Sequence, residues 1–163
     1  MTDLSQETAV YAGFWVRLGA SLVDTIIYLL LTAPMLIAIY GWEYYDFEEE
    51  IYGFIAGPAD LLISWIVPMI ATIWLWMTYR ATPGKMLFSL KVVKADTGAA
   101  LTLKEAFIRY LGYVLAAIPL CLGFVWVAFD PKKQGWHDKL AGSVVVRSKL
   151  RGTEAVRFPQ AQN

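Results

Sequence analysis

Seven positions separate an arginine from an aspartate inside an apolar run, with Arg17 and Asp24 both in the stretch from Phe14 to about Tyr40. An ionised aspartate inside hydrocarbon costs roughly 2.5–3.5 kcal/mol even on the lenient insertion scale. A carboxylate kept there can bind a cation or carry a proton, because burial and a neighbouring cation push its charge state in opposite directions. The plainer alternative makes Asp24 the buried partner of another group, with no traffic through it. At 3.6 residues per turn Arg17, Ser21, Asp24 and Tyr28 share one helical face, with Thr25 and Thr32 beside it. That face must look toward protein or water. Asp24 is its candidate ion or proton site, and Ser21, Thr25 and Tyr28 are its lining. Arg17 and Asp24 stand about 10 Å apart along one axis, so Asp24 is expected to meet a donor from another segment.

Arg17 itself has two readings. It can snorkel to the headgroups, or it can anchor a carboxylate through a bidentate pair, with Asp138 the candidate partner. Arg17 and Asp138 together then form a gate or a structural charge network. Asp138 follows the single histidine, His137, which makes a pH sensor conceivable; a helix N-terminal cap is the simpler role for Asp138. Asp60 falls in the first turn of a second apolar helix, where the dipole favours an acid. One cysteine and one histidine cannot close a metal site. Phosphate-loop, dinucleotide, nucleophile-elbow and zinc-protease patterns are missing from the sequence. The reading is therefore not an enzyme, with no cofactor, no metal and no nucleic-acid partner.

The elements that must hold these residues are membrane helices. Of the 163 residues 58% are hydrophobic and 17% charged, and mean hydropathy is +0.49. The zero net charge hides a segregation. Glu43, Asp46, Glu48, Glu49 and Glu50 crowd the segment from Tyr40 to Tyr52, whereas Arg80 to Arg109 carries six basic and two acidic residues. From Asp130 onward there are seven basic and three acidic residues. Lys/Arg asymmetry of short loops sets orientation, so the acidic loop is expected outside and the N-terminus inside. The polar start lacks the basic n-region of a signal peptide, and the first helix is expected to stay as an uncleaved anchor.

The first span runs from Phe14 to Tyr40 with a kink expected at Pro34, and the second from about Pro58 to Tyr79 with another at Pro68. A third apolar stretch, from Phe107 to Phe129, has basic segments on both sides. One crossing would put the basic C-terminal segment outside, so two half-helices that re-enter are favoured over a third full crossing. Leu87 to Val93 is rich in β-formers and Ala95–Gly98 reads as a turn, which predicts a small cytoplasmic hairpin. Ser143 to Arg147 is a further strand that can pair with it. Thr102 with Glu105 three residues on predicts a capped helix start.

Three pieces in this order resemble the RDD family of small membrane proteins. They are Gly13-Phe-Trp-Val-Arg-Leu-Gly-Ala-Ser-Leu-Val-Asp24, Thr82-Pro-Gly-Lys-Met-Leu-Phe-Ser-Leu-Lys-Val-Val93 and His137-Asp-Lys-Leu-Ala-Gly-Ser-Val-Val-Val146. The family's name-giving arginine and two aspartates map onto Arg17, Asp24 and Asp138, with Asp130 the lesser candidate for the last. What the resemblance implies about activity is transport, in the form of cations exchanged for protons. The sequence thus predicts an all-α membrane protein with two transmembrane helices, a third re-entrant helical hairpin and a small cytoplasmic β element. Residues 1–13 form the lead-in, 14–147 the membrane domain and 148–163 a polar, disordered tail. The expected setting is the inner (plasma) membrane, with lipids, a monovalent cation or proton, and further copies of the chain as partners. A non-transporting scaffold or accessory subunit, with the same charges as a clamp, is the alternative.

Overall fold

The structure, a computed structural model, describes residues 9–45 and 55–148. The acids at positions 46–50, the first residues of the lead-in and the tail from 149 lie outside the described residues.

The longest element, α1 (Phe14–Tyr40), has 27 residues and is about 40 Å long, more than the ~30 Å of hydrocarbon in a bilayer. It continues through Pro34 and stops at Gly41, whose φ of 80° only glycine adopts readily. The Gly41 N–H closes on the Ile37 carbonyl at 2.9 Å. The second long helix is composite: α2 (Pro58–Asp60), a π-helical turn (Leu61–Ile66) and α3 (Val67–Thr78) follow one another without a break. Pro68 has no N–H, which leaves the Ser64 carbonyl, four residues back, without its helical donor. The Tyr28 hydroxyl of α1 donates to that carbonyl at 3.2 Å, and the wider π-helical turn gives the proline ring room. Both helices are long and apolar enough to cross a membrane. Their outer faces, with Ile26 and Leu30 on α1 and Ile70 and Trp74 on α3, are exposed and apolar, as lipid contact requires.

Three strands form one antiparallel sheet in the order β1-β3-β2. The end of the lead-in, Ala9–Tyr11, is strand β1, with Val10 opposite Arg147 of β3 (Ser143–Ser148). Ala9 and Val10 are buried there. On the other side of β3 lies β2 (Leu90–Lys94), with Val92 opposite Val145. The expected pairing of the two Val-rich pieces is therefore present, whereas the local hairpin is not. Residues 83–87 form a short helix instead, α4 (Pro83–Leu87). The predicted turn does close, with the Gly98 N–H on the Lys94 carbonyl at 3.0 Å. The chain beyond it enters a helix rather than returning as a strand.

That helix, α5 (Leu103–Ala117), starts at the predicted capping box. Thr102 N–H donates to Glu105 Oε2 at 2.7 Å, and Glu105 N–H to Thr102 Oγ1 at 3.4 Å. The third apolar stretch is not one straight rod. Helix α6 (Leu122–Val125), extended by the 3-10 turn Trp126–Ala128, leaves α5 at 112°. At the break Leu120 and Cys121 adopt left-handed φ values of 51° and 62°, each costing roughly 1–2 kcal/mol. The last helix, α7 (Trp136–Leu140), leads into β3. The core lies between sheet and helices, where Trp76, Leu90, Val92, Ala106 and Val145 are all but fully buried.

Candidate functional site

Asp138 sits at the third position of α7, fully buried. Arg17 of α1 donates from Nη1 to Asp138 Oδ2 at 2.6 Å, and Arg109 of α5 donates from Nη1 to Asp138 Oδ1. The Gly135 N–H reaches Oδ2 at 3.0 Å, so the carboxylate also closes the first turn of its own helix. Arg17 spends its other donors on backbone: Nε on the Ala12 carbonyl at 2.9 Å and Nη2 on the Lys133 carbonyl at 2.5 Å. Arg109 also reaches Ser143 Oγ at the start of β3 and lies over the Trp76 ring, 5.2 Å from its centroid. Each arginine therefore takes one oxygen, and the bidentate pair expected of Arg17 is replaced by a bridge between two helices. Burial opposes charge on Asp138, but Arg109 and Arg17 outweigh it and hold the carboxyl below the usual range.

His137 stacks on Tyr113 with centroids 4.4 Å apart and leans on Phe124 at 5.2 Å. Burial, joined by Arg109, Arg17 and Lys85 and opposed by Asp138, pushes its pKa down to about 3. A neutral imidazole results, which does not sense pH near neutrality in the folded protein. Asp130, the lesser candidate, is separate from this cluster and pairs with Lys139 at 2.6 Å.

Asp24 does meet donors from another segment, as its distance from Arg17 demanded. Thr82 Oγ1 donates to Oδ2 at 2.5 Å and the Gly84 N–H to Oδ1 at 2.7 Å. Asp24 thus holds the N-terminus of α4 against α1. Gly84 is what lets them meet: a Cβ there would stand 2.9 Å from the Asp24 nitrogen. Ser21, Asp24, Thr25, Tyr28 and Thr32, the predicted polar face, line a cavity of about 630 Å³ between α1, α3 and α5. Among the described residues around it, Asp24 is the acid and Lys85 the base. A second cavity of about 450 Å³ lies toward the start of α1, bounded by Arg17, Leu18, Lys85, Arg109, Phe124 and His137. Ser21, Lys85 and Tyr113 border both cavities.

The sequence reading named Arg17, Asp24 and Asp138, and the structure puts Arg17 on Asp138 but Asp24 in a different hydrogen-bond set. It missed Arg109 and Lys85. Arg109 read as the end of a basic segment beside an apolar stretch, and Lys85 only as one residue of the Thr82–Val93 piece. A signal was present for both, since each lies within a few residues of an apolar segment that has to be buried or embedded.

The sequence matches the RDD family over residues 11–142. It is similar to an uncharacterized membrane protein of Bacillus subtilis, YteJ, with 32% identity over 88% of this chain and 85% of that protein. A second Bacillus subtilis protein, the uncharacterized YckC, is 30% identical over 90% of this chain and 94% of its own length. No solved structure matches. With the family model matched over most of its length and two helices long and apolar enough to cross a membrane, the chain belongs to the RDD family of membrane proteins.

Proposed function

We propose that this chain is a small plasma-membrane transporter that exchanges a monovalent cation for a proton at Asp24, working as an assembly of several copies. The observation that carries the reading is the polar face of α1 lining a cavity among membrane-capable helices, with one carboxylate and one ammonium on its wall. Ionisable groups at such depth mark ion pathways. Three helical elements enclose too little for a complete pathway, which is the reason to expect an oligomer.

Topology supports a re-entrant third stretch. Strand β1 precedes α1, β2 follows α3 and β3 follows α6, yet all three are hydrogen-bonded in one sheet. A single sheet has to lie on one side of a membrane. The chain then crosses out along α1 and back along α2–α3. The segment from β2 to β3, which contains the α5–α6 bend, begins and ends on that same side. The charge rule makes this the cytoplasmic side. A reporter on Asn163 is expected inside the cell, and an outside reporter refutes this path.

The transport test is flux in proteoliposomes under a proton gradient, with Na⁺, K⁺ and Li⁺ offered in turn, comparing the wild type with Asp24→Asn. Flux that disappears in a variant with unchanged unfolding supports the role of Asp24; a well-folded variant with normal flux refutes it. One observation favours the scaffold reading instead: both Asp24 oxygens are already engaged by α4. On that reading neither protein carries flux, and Asp24→Asn is less stable.

A further inference from the structure

Lys85 is 6% exposed, and among the described residues it has no hydrogen-bond acceptor and no ion-pair partner. Its Nζ lies over the Trp76 ring, 5.7 Å from the centroid. An ammonium that opens onto a largely apolar cavity without a partner is costly unless something else supplies the anion. The nearby acids make their hydrogen bonds elsewhere, Asp138 to two arginines and Asp24 to Thr82 and Gly84. Arg109 also keeps an unpartnered Nε among the buried groups. The 450 Å³ cavity beside Lys85 has three cations on its wall and no carboxylate, and the rest of its lining is largely apolar.

We infer that this cavity binds the phosphate of an anionic membrane phospholipid, with Lys85 as its main contact. Three features point to a lipid. The charge is complementary: Arg17, Arg109 and Lys85 against Asp138 and Asp24 leave one positive charge. The depth fits, since the α1 residues on the wall, from Phe14 to Ser21, are the turns nearest the sheet, where headgroups lie if the sheet sits at the membrane edge. The rim fits too. Leu18 of α1 and Val125 of α6 are exposed apolar side chains along which acyl chains can leave. The inference rests on the membrane placement of the sheet, which the Asn163 reporter tests separately. It does not need flux, so a chain that transports nothing can still carry this site.

The test titrates the purified full chain, in dodecylmaltoside micelles, with phosphatidylglycerol, phosphatidylcholine or inorganic phosphate while thermal unfolding is followed. Phosphatidylglycerol is expected to raise the midpoint, and the other two to leave it unchanged. Lys85→Gln is expected to need about fivefold more phosphatidylglycerol for the same shift, the effect of one lysine at an anionic surface. Lys104→Gln, which removes an exposed lysine of α5, is expected to behave like the wild type. If Lys85→Gln does not insert, Leu18→Trp fills the cavity mouth without touching a charge and is expected to abolish the shift. An equal response in Lys85→Gln and wild type overturns the site, and so does an unaltered response in Leu18→Trp. A shift produced by inorganic phosphate alone overturns the lipid and assigns the cavity to a free anion.

Discussion

Removing the negative charge of Asp138 is the sharpest test of how this fold is held. Asp138→Asn keeps the shape of the side chain but leaves Arg17 and Arg109 without their counterion, and both are buried. Breaking a buried pair by taking one partner costs about 3–5 kcal/mol, because a charge is left uncompensated. Two guanidiniums are affected here. The asparagine oxygen can still accept from one of them, while its amide turns donor toward donor on the other. About 4 kcal/mol is therefore expected, a large part of the 5–15 kcal/mol that ordinarily separates folded from unfolded chains. Asp130→Asn is the matched control. Its partner Lys139 has a side chain that is 44% exposed, and the backbone donors at Lys132 and Gln134 can both be kept by the asparagine oxygen. Its cost is about 1 kcal/mol or less.

The assay is equilibrium unfolding in mixed detergent micelles, with both variants beside the wild type across pH. Asp138 has a depressed pKa in the folded state, so its stabilisation is complete above the unfolded value of about 3.9 and is lost as pH falls below it. The gap between wild type and Asp138→Asn is accordingly constant above about pH 4 and narrows in acid. A variant within about 1 kcal/mol of the wild type, or no worse than Asp130→Asn, refutes the reasoning.

Other outcomes follow from the same geometry. The single histidine makes His137→Gln a clean probe: the folded state keeps it neutral with a pKa of about 3, while the unfolded value is near 6.5. The unfolded chain binds the extra proton, so wild-type stability falls as pH drops from 6.5 toward 5, with a slope that grows from about 0.7 to about 1.4 kcal/mol per unit. Equal slopes for His137→Gln and wild type in that window would show that the imidazole is not held neutral. Gly84→Ala puts a Cβ 2.2 Å from the Ala20 carbonyl oxygen and 2.8 Å from Asp24 Cγ, and is expected to cost about 3 kcal/mol in unfolding. Gly13→Ala, with nothing within 4 Å, should be silent in the same measurement.

What the sequence made legible were features written into one helix. The polar face of α1 could be read from spacing alone, and so could the need of Asp24 for a partner elsewhere. The capping box at Thr102 is equally local. What escaped depends on which segment folds over which. Arg109 looks like a flank of an apolar stretch until α7 and β3 close over it and bring Asp138 and Ser143 to its guanidinium. Strand β1 is three residues long, too short for a period-2 pattern, and its partner lies more than a hundred residues away. The bend at Leu120 and Cys121 uses backbone angles that neither residue favours, so composition gives no warning of it.

The charges near the start of α1 do not balance, and that separates a pure clamp from a binding site. A clamp needs Arg17, Arg109 and Asp138 and gains nothing from a further buried cation. If Lys85 served only the fold, replacing it with methionine would remove an unpaired charge from a largely buried residue and raise the unfolding midpoint in neutral detergent. The same substitution would leave phosphatidylglycerol with less to bind, so the order of stabilities reverses as the anionic lipid is added. That crossing of two curves is the expected result for Lys85→Met. A variant less stable than the wild type in lipid-free neutral detergent would mean that Lys85 already has its anion within the protein, and the excess charge argued here would not exist.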